Sequence, residues 1–407
     1  MAVTATVEPV SSYSRLAEGT GPWANEMACL GVRFPATGCH ACEAACPVCI
    51  LKVTPHGLEL ADGCTGCGRC AASCPTRALS VPGFLTELPD GGGEILEVDC
   101  AKVPGAGGLA GGLRVPCLGG LSRSQLIALV RLNPERTVVL MDRGWCNQCA
   151  SGGCPHPAQA QVSDVNRWLS AIGVPESRHI RHVSRPLPLR HMPEDIPDPT
   201  ASRPMDRRGF LRQLAGQLAM AAQGPEDGHD QAGEPPTPDG SRRIHPAERV
   251  AILTQLRDLA ADGNPDLPVE LLYRVEIDDG RCRHHALCAS TCPTAALSAW
   301  AAGDEHGVQF DPATCIGCGE CERNCPERAL RLQNSECPTE PFRIRILSRH
   351  GTRTCARCRR DFAAPKAAHD AADSSLCPAC AKDRTLMSST FEHLFGRTQR
   401  SADPQQP

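Results

Sequence analysis

The sequence has few aromatic side chains and no long apolar run. Phe, Trp and Tyr together make up 3% of its 407 residues, so we do not expect cores built on large aromatic side chains. No apolar stretch approaches the roughly 20 residues that a membrane-spanning helix requires, and we expect no membrane span. The first residues also lack a basic start followed by an apolar segment, which argues against a secretory signal.

An excess of positive charge is missing as well. The 42 basic and 46 acidic side chains give a net charge of −4, so nucleic-acid binding is not expected. The sequence contains no phosphate-binding loop, no dinucleotide-binding fingerprint and no evident nucleophile–base pair. The glycine-rich stretch Gly105–Gly112 does not have the spacing of a nucleotide site. We therefore predict a protein without an evident catalytic site.

Cysteine, by contrast, is abundant. The chain has 26 cysteines, and most of them stand two or three residues apart in tight groups. Disulfide scaffolds are usually short secreted chains with dispersed cysteines, whereas tight groups present several sulfurs to one metal ion or cluster. The grouping predicts metal binding in a reducing compartment, the cytoplasm, with the metal supplying much of the folding energy.

The strongest motif has four evenly spaced cysteines followed by proline, and it occurs twice. The two copies are Cys64, Cys67, Cys70 and Cys74 before Pro75, and Cys315, Cys318, Cys321 and Cys325 before Pro326. Glycines between the cysteines allow the backbone to approach a cluster closely. The motif resembles that of bacterial-type dicluster [4Fe-4S] ferredoxins. The resemblance implies that three cysteines of each run hold one cluster and that the fourth reaches across to a second.

The partner motif of the first ferredoxin-type segment is incomplete. Cys39, Cys42 and Cys46 occupy three expected positions, but Ala36 stands at the fourth. Either Cys29 or Cys49 is a candidate replacement, and a three-iron cluster or an open iron is the alternative. With Cys29 as the replacement, the resemblance implies two ligand sets. They are Cys29, Cys39, Cys42 and Cys74 for one cluster, and Cys46, Cys64, Cys67 and Cys70 for the other.

The partner motif of the second segment lacks a different cysteine. His285 stands where a ligand is expected between Cys282 and Cys288. Histidine can ligate an iron–sulfur cluster, but it could also lie beside a three-iron cluster, or Cys337 could fill the position. The resemblance implies one complete set and one irregular set. They are Cys292, Cys315, Cys318 and Cys321, and Cys282, His285, Cys288 and Cys325.

Between these segments, the pattern changes to alternating strands and helices. Apolar runs predict strands at Ile95–Val98, Leu113–Val115 and Val138–Met141, with helices at Ser122–Leu132 and Val162–Ile172. Such alternation is typical of a small α/β domain with a parallel sheet. Three of its five cysteines follow predicted strands directly, and strand ends converge on one edge of a parallel sheet. The five are Cys100, Cys117, Cys146, Cys149 and Cys154.

Pro116-Cys117-Leu118-Gly119 and the later cysteine loop resemble the iron–sulfur (delta) subunit of methyl-viologen-reducing hydrogenases. The resemblance covers about sixty residues. It implies a [2Fe-2S] cluster and a role in passing electrons to a reductase. Buried free cysteines and a zinc site are the alternatives for this domain.

Near the C-terminus, Cys355 and Cys358 are separated by eighteen residues from Cys377 and Cys380. This spacing predicts a zinc ribbon with a closed tetrahedral site, and therefore a structural or partner-binding role. A rubredoxin-like iron site would use the same ligands. Asp206–Arg212 looks like a twin-arginine export motif, but its mid-chain position favours a docking helix at Arg207–Ala222.

The predicted fold class is α+β and multidomain. It consists of two ferredoxin-like dicluster domains, a small α/β domain between them and a zinc ribbon. The predicted boundaries are 1–25 for an irregular leader, 26–90 for the first ferredoxin-type domain, 94–182 for the α/β domain, 184–247 for a largely disordered linker, 248–346 for a helix plus the second ferredoxin-type domain, 350–386 for the ribbon and 387–407 for the tail.

The leading functional hypothesis is an electron carrier or the electron-transfer subunit of a larger redox complex. It predicts three to four [4Fe-4S] clusters, one of them [3Fe-4S] or histidine-ligated in the alternatives above, plus zinc. Its partners would be redox proteins, such as a hydrogenase, dehydrogenase or reductase subunit. The alternatives are a maturation factor or redox sensor, and a catalytic subunit that uses an irregular cluster.

Overall fold

The computed structural model describes residues 13–16, 21–84, 93–103, 112–188, 192–193, 243–260, 267–334, 342–365, 375–377 and 379–384. The helix predicted at Arg207–Ala222, the twin-arginine sequence, most of the glycine-rich stretch, Cys337 and the predicted tail lie outside these residues.

The first unit, residues 13–84, consists of short elements. Its helices are α1 (Leu30–Arg33), α2 (Ala41–Ala45) and α3 (Arg69–Ala72), with 3-10 helices at Glu26–Ala28 and Pro35–Thr37, and its strands are β1 (Ser14–Arg15), β2 (Trp23–Ala24), β3 (Leu51–Thr54), β4 (Gly57–Leu60) and β5 (Leu79–Ser80). β3 and β4 form an antiparallel hairpin, and β1, β2 and β5 form an antiparallel sheet. The core includes several cysteines, among them Cys29, Cys42 and Cys74.

Part of the segment predicted as an irregular leader belongs to this sheet. Trp23 pairs with Ser80 and Ala24 with Leu79, so residues that precede position 25 are built into the first unit. The two-residue strands are too short to give a periodic sequence pattern, which explains why the sequence did not predict them.

The middle unit, residues 93–188, has the predicted α/β architecture. Its elements are β6 (Ile95–Cys100), β7 (Leu113–Val115), a 3-10 helix (Leu118–Gly120), α4 (Arg123–Leu132), β8 (Thr137–Asp142), α5 (Gln159–Ala171), a 3-10 helix (Glu176–Arg178) and β9 (Arg181–Ser184). The four strands are parallel, in the order β7-β6-β8-β9. Ser122 begins α4 with a capping box to Gln125, and the apolar face of α4 is buried against the sheet.

Helix α6 (Ala247–Leu259) completes the core of the middle unit. Its side chains Ile252, Leu253 and Leu256 belong to the same apolar core as Leu126 and Leu129 of α4. We predicted that this helix leads into the second ferredoxin-type domain. Arg249 of this helix does donate to Leu271 and Pro312 of the second unit, while the apolar face of the helix packs on α4, where it finds a matching apolar stripe.

The second unit, residues 267–334, repeats the short-element design of the first. Its elements are a 3-10 helix (Val269–Leu271), β10 (Tyr273–Ile277), α7 (Leu287–Ser290), β11 (Leu297–Ala302), β12 (Glu305–Phe310), α8 (Glu320–Arg323) and β13 (Leu330–Asn334). β10 pairs with β13 and β11 with β12, in both cases antiparallel.

The C-terminal segment extends the sheet of the second unit. Its strands are β14 (Arg345–Ile346), β15 (His350–Thr354) and β16 (Asp361–Pro365). β15 pairs with both β12 and β16, so the ribbon strands continue the β11-β12 hairpin. Within the described residues, no helix is long and apolar enough to cross a membrane.

Candidate metal centres

Each ferredoxin-type run forms a tight loop that begins a short helix. Gly66, Gly68, Gly317 and Gly319 all have φ between 63° and 73°, a left-handed conformation that glycine adopts without strain. An aromatic ring closes each loop: a side chain on Gly68 would collide with Phe84, and one on Gly317 with Tyr273. The glycines therefore permit both the left-handed turn and the close packing of an aromatic ring on each loop.

The cysteine before each proline is held by a backbone amide. Ala78 N donates to Cys74 Sγ at 3.2 Å, and Ala329 N donates to Cys325 Sγ at 3.3 Å. Such N–H···S bonds stabilise a thiolate, and they support the sulfur as a cluster ligand. The two distances are nearly equal, so the repeated cysteine motif adopts the same local structure in both copies.

The two complete ligand sets each line one cavity. Site B is defined by Cys46, Cys64, Cys67 and Cys70, and site C by Cys292, Cys315, Cys318 and Cys321. Leu51 and Leu60 add apolar walls to site B, and Val275 and Phe310 do so in site C. Apolar walls exclude water, which suits a buried redox centre.

Burial and mutual repulsion raise the pKa of thiols in both sites, as Cys321 and Cys70 show. The pKa of Cys321 rises to about 12, because it is buried beside Cys315, Cys318 and Cys292. The pKa of Cys70 is likewise raised by burial and by Cys67 and Cys64. Without a metal, Cys321 and Cys70 keep their protons at pH 7, so binding iron must displace them.

Site A contains the cysteine that lies outside the ferredoxin motif. Burial raises the pKa of Cys42 to about 12, with further contributions from the neighbouring thiols of Cys74, Cys29 and Cys39. The structure therefore brings these four sulfurs together. We define site A by Cys29, Cys39, Cys42 and Cys74. Cys29 is buried at the start of α1, and the amides of Gly31 and Val32 hydrogen-bond its sulfur.

Cys49, the other candidate for the incomplete motif, lies apart from site A. It is exposed, and its thiol donates to the carbonyl of Cys46 at 3.8 Å. The arrangement of the first unit therefore supports Cys29 as the fourth sulfur.

Site D brings together three thiols: Cys282, Cys288 and Cys325. The pKa of Cys288 rises to about 11 because of burial and the nearby Cys282 and Cys325. The imidazole of His285, which we predicted as a fourth ligand, contacts a carboxylate. Its Nε2 lies 3.3 Å from Glu327 Oε1, and Lys382 Nζ donates to the same oxygen at 3.4 Å.

A group of three histidines beside site D was not predicted. The ring of His284 lies 4.7 Å from that of His306 and 5.0 Å from that of His350. Burial and the other two rings lower the pKa of His284 to about 4, so it is neutral at pH 7. His306 and His350 meet only because β12 pairs with β15, and a contact made by strand register leaves no motif in the sequence.

These four sites differ from mononuclear metal sites in their spacing. In the described part of the chain, none of sites A to D has all its sulfurs within 4.8 Å of one another. A single tetrahedral zinc ion would hold its sulfurs about 3.8 Å apart, as follows from a Zn–S bond of about 2.3 Å. Wider thiol sets in apolar cavities fit a polynuclear cluster better.

Family comparisons agree with this geometry. Two segments of the chain match family models described as 4Fe-4S binding domains. The matches cover residues 61–80, which include most of site B, and residues 308–330, which include most of site C. No curated protein matches the chain. The protein therefore has two 4Fe-4S ferredoxin-type segments, which point to a role in iron–sulfur electron transfer.

Outside the 4Fe-4S segments, four cysteines of the middle unit share one cavity. Cys100, Cys117, Cys146 and Cys149 line it together with apolar side chains such as Val103 and Trp145. We define these four cysteines as site M. The predicted convergence of three strand ends is therefore observed. Cys154, the fifth cysteine, is exposed and does not line the cavity.

A buried ion pair fixes the strand ends beneath site M. Arg143 Nε and Nη2 donate to the two carboxylate oxygens of Asp99 at 2.7 and 2.6 Å. This two-point contact ties β6 to the residue that follows β8, where the cysteines emerge. Asp99 also raises the pKa of Arg143, which keeps its charge beside the cavity.

One cysteine of site M, Cys146, also belongs to a group of side chains that could hold a single metal ion. The carboxylate of Asp142, the thiol of Cys146 and the imidazole of His156 lie within 4.8 Å of one another. The ring of His182 lies 4.1 Å from that of His156, and together with burial it lowers the pKa of His156 to about 4. A neutral imidazole beside a carboxylate and a thiol could hold zinc, which was one alternative for this domain.

The four ribbon cysteines form a compact group. Cys355, Cys358, Cys377 and Cys380 have their sulfurs within 4.8 Å of one another, and Cys358 Sγ and Cys377 Sγ are 3.8 Å apart. This separation equals the edge of a tetrahedral Zn–S4 site, about 3.8 Å. Hydrogen bonds from the backbone amides of Cys358 and Cys377 lower the pKa of Cys355 to about 6.

Proposed function

We propose that the protein is a multicentre iron–sulfur electron-transfer protein and works as the electron-transfer subunit of a redox complex. The observation that carries the proposal is the convergence of complete four-thiol sets in apolar cavities, at sites B and C within the 4Fe-4S segments. Bound clusters would supply one-electron acceptance and donation. The protein would hold the sulfurs, exclude water and tune the potentials.

The sites differ in how many sulfurs they offer, and we infer the cofactors from that number. Sites A, B and C would each hold a [4Fe-4S] cluster, because each has four cysteines. Site D, with three thiols and His285 engaged by Glu327, fits a [3Fe-4S] cluster. Site M would hold a [2Fe-2S] or larger cluster through its four thiols, and the ribbon would hold zinc.

Cationic groups beside site C favour its reduced, more negative state. Burial raises the pKa of Cys315 to about 12, and the guanidinium of Arg249, which donates to the carbonyls of Leu271 and Pro312, lies close enough to oppose part of that rise. Arg323 lies beside Cys318 and Cys321. We expect positive charge at this distance to raise the reduction potential of a cluster bound there.

The likeness of site M to the delta subunit of methyl-viologen-reducing hydrogenases suggests the partner. Under this proposal, a hydrogenase, dehydrogenase or reductase subunit exchanges electrons with the protein. All 25 cysteines in the described residues are free, which supports a reducing compartment such as the cytoplasm.

Metal and sulfide analysis of protein purified without oxygen tests the proposal. We expect about 15 iron atoms for sites A to D, when site D binds three, and about two more for site M. Zinc should be present at about one atom per chain. EPR spectra should show a three-iron signal from site D in the oxidised protein and the signals of the other clusters in the reduced protein. Absence of acid-labile sulfide would rule out the proposal.

A catalytic role for site D is the second candidate. Its motif lacks a fourth cysteine, and three histidines lie beside it, so a bound cluster could have an iron without a protein sulfur. EPR spectra recorded with and without small anionic ligands distinguish a catalytic role of site D from a role in electron relay. A site D signal that shifts on ligand addition would support catalysis, whereas an unchanged signal would support a relay.

A further inference from the structure

Arg323 of the second ferredoxin-type unit contacts the first unit. Arg323, the last residue of α8, donates from Nη2 to the carbonyl of Cys318 at 2.9 Å and to the carbonyl of Ala36 at 3.2 Å. Cys318 belongs to site C, whereas Ala36 lies three residues before Cys39 of site A. One guanidinium thus joins the loop of one site to the loop of another.

The guanidinium is held in place from its own side. Arg323 also bonds to the carboxylate of Glu320, which is buried, and Asn324 Nδ2 donates to the other carboxylate oxygen at 3.0 Å. Glu320 further raises the pKa of Arg323. The contact to Ala36 therefore comes from a side chain that is already ordered, so little conformational entropy is lost on docking.

The acceptor, Ala36, stands where the ferredoxin pattern has a cysteine. Because Cys29 contributes the fourth sulfur of site A, residue 36 carries no ligand. Its segment forms the 3-10 helix Pro35–Thr37, and Ala36 is exposed. The departure from the motif thus coincides with the contact between the units.

Packing between short helices places the remaining sites in order. Helix α2, which carries Cys42 of site A, packs on α3, which carries Cys70 of site B, and α3 packs on the 3-10 helix Leu118–Gly120, which directly follows Cys117 of site M. Arg69, which precedes Cys70, donates to the carbonyl of Gly152 in the middle unit at 3.1 Å.

We propose that Arg323 is a positioning residue that docks the second unit on the first and holds sites C and A side by side. The sites then lie in one continuous series, in the order M, B, A, C and D. This inference rests on the proposed function. A transfer along the series moves one electron between neighbours and makes or breaks no bond. The two ends, sites M and D, are where partners would exchange electrons.

The test isolates site C from its neighbour within the same unit. A Cys282→Ser, Cys288→Ser background removes two of the three sulfurs of site D. Any magnetic splitting of the site C signal in the reduced protein must then come from the first unit. In this background we compare Arg323 with Arg323→Ala, with Arg323→Lys and with a control, Arg331→Ala, an exposed arginine of β13.

We expect splitting of the site C signal with Arg323 and in the Arg331→Ala control, and its loss in Arg323→Ala. Arg323→Lys should keep the reduction potential, because the charge remains, but lose the splitting, because the shorter lysine side chain does not carry its ammonium group to the position of Arg323 Nη2, from which both carbonyls are contacted. Unchanged splitting in Arg323→Ala, at full iron and sulfide content, would overturn the inference while leaving the proposed function intact. Missing iron and sulfide in every variant and in the wild-type protein would instead overturn the proposed function.

A second measurement does not use the Cys282→Ser, Cys288→Ser background, so it still tests the inference if that variant fails to fold. Small-angle X-ray scattering of the wild-type chain and of Arg323→Ala, both with their clusters, reports the separation of the units. A larger radius of gyration in Arg323→Ala, but not in Arg331→Ala, supports the inference. Equal radii in all three proteins contradict it.

Discussion

In the first ferredoxin-type unit, helix α1 follows Cys29 and places its sulfur with Cys39, Cys42 and Cys74. In the second unit, the incomplete motif has His285, whose ring contacts Glu327 rather than the three thiols of site D. One unit therefore restores four sulfurs, whereas the other leaves three sulfurs beside a group of histidines. The same kind of sequence irregularity has different chemical consequences, which depend on what packs next to the loop.

The surroundings of the two irregular sites also differ. The segment that carries Cys29 packs into the core of the first unit, with Leu30 buried beside it. Site D is flanked by strands β12 and β15, which bring His306 and His350 against His284. Among the described residues, a group of buried and half-buried imidazoles lies beside site D, whereas the histidines of the first unit, His40 and His56, are exposed.

The largest effect should come from removing the sulfur that restores site A. Cys29→Ala leaves three thiols there, so we expect a loss of about four iron atoms per chain, or about one if a three-iron cluster survives. Cys49→Ala is the matched control and should retain all iron, because Cys49 is exposed and lies apart from the site. Iron and acid-labile sulfide analysis measures both. Iron loss in Cys49→Ala alone would reverse the assignment.

Loss of the zinc ion that we propose for the four ribbon cysteines should affect only the second unit. In Cys380→Ser, we expect the loss of about one zinc atom per chain, since a tetrahedral site with three sulfurs binds the ion weakly. Because β15 pairs with β12, the EPR signal of site D should broaden while the signals of sites A and B stay unchanged. Equal changes in both units would show that the ribbon does not act through this sheet.

A cysteine at position 285 should make the second unit resemble the first. His285→Cys restores the regular spacing of the ferredoxin motif, so we expect a gain of about one iron and the replacement of a three-iron signal by a four-iron signal. His285→Ala should leave the iron content unchanged, because His285 contacts Glu327. If His285→Ala loses iron, histidine is a ligand after all.

The smallest effect concerns the contacts between units. Glu248 of α6 accepts from Arg77 Nε at 3.0 Å and from Ser124 N and Oγ at 3.0 and 2.7 Å, so it links the first unit to the middle unit. Glu248→Ala should lower the free energy of unfolding by about 1–3 kcal/mol, because it leaves these donors unsatisfied. Arg274→Ala removes an exposed pair with Glu276 and should cost about 0–1 kcal/mol.

Urea denaturation followed by circular dichroism measures both variants. Equal stability of Glu248→Ala and Arg274→Ala would show that the Glu248 contacts contribute nothing beyond an exposed ion pair.

Local features of the fold could be predicted from the sequence. The run Leu126–Val130 and the Ser122 cap specified α4, and the apolar runs specified β6, β7 and β8, because these elements depend on nearby residues alone. The cysteine spacing likewise predicted sites B and C, since three of the four ligands in each belong to one loop.

Contacts between distant segments could not be predicted. Neither the placement of α6 on α4 nor the contact of Arg323 with Ala36 leaves a local pattern, since each depends on which surfaces meet after the units have formed. The exclusion of Cys154 from site M has the same origin. The sequence distinguished the three cysteines that follow strands, but it did not distinguish Cys149 from Cys154, and the loop geometry places only Cys149 in the cavity.

The position of α6 has a consequence for the order of assembly during synthesis. Helix α4 ends at Leu132, yet its apolar partner on α6 begins only at Ala247, so the ribosome makes more than a hundred residues between them. Until then, a nascent middle unit exposes the apolar surface that Ile252, Leu253 and Leu256 later cover, a state that attracts chaperones. The first unit has all its cysteines by residue 74 and can receive iron during that interval. Cluster insertion at the N-terminal end can therefore precede closure of the middle unit.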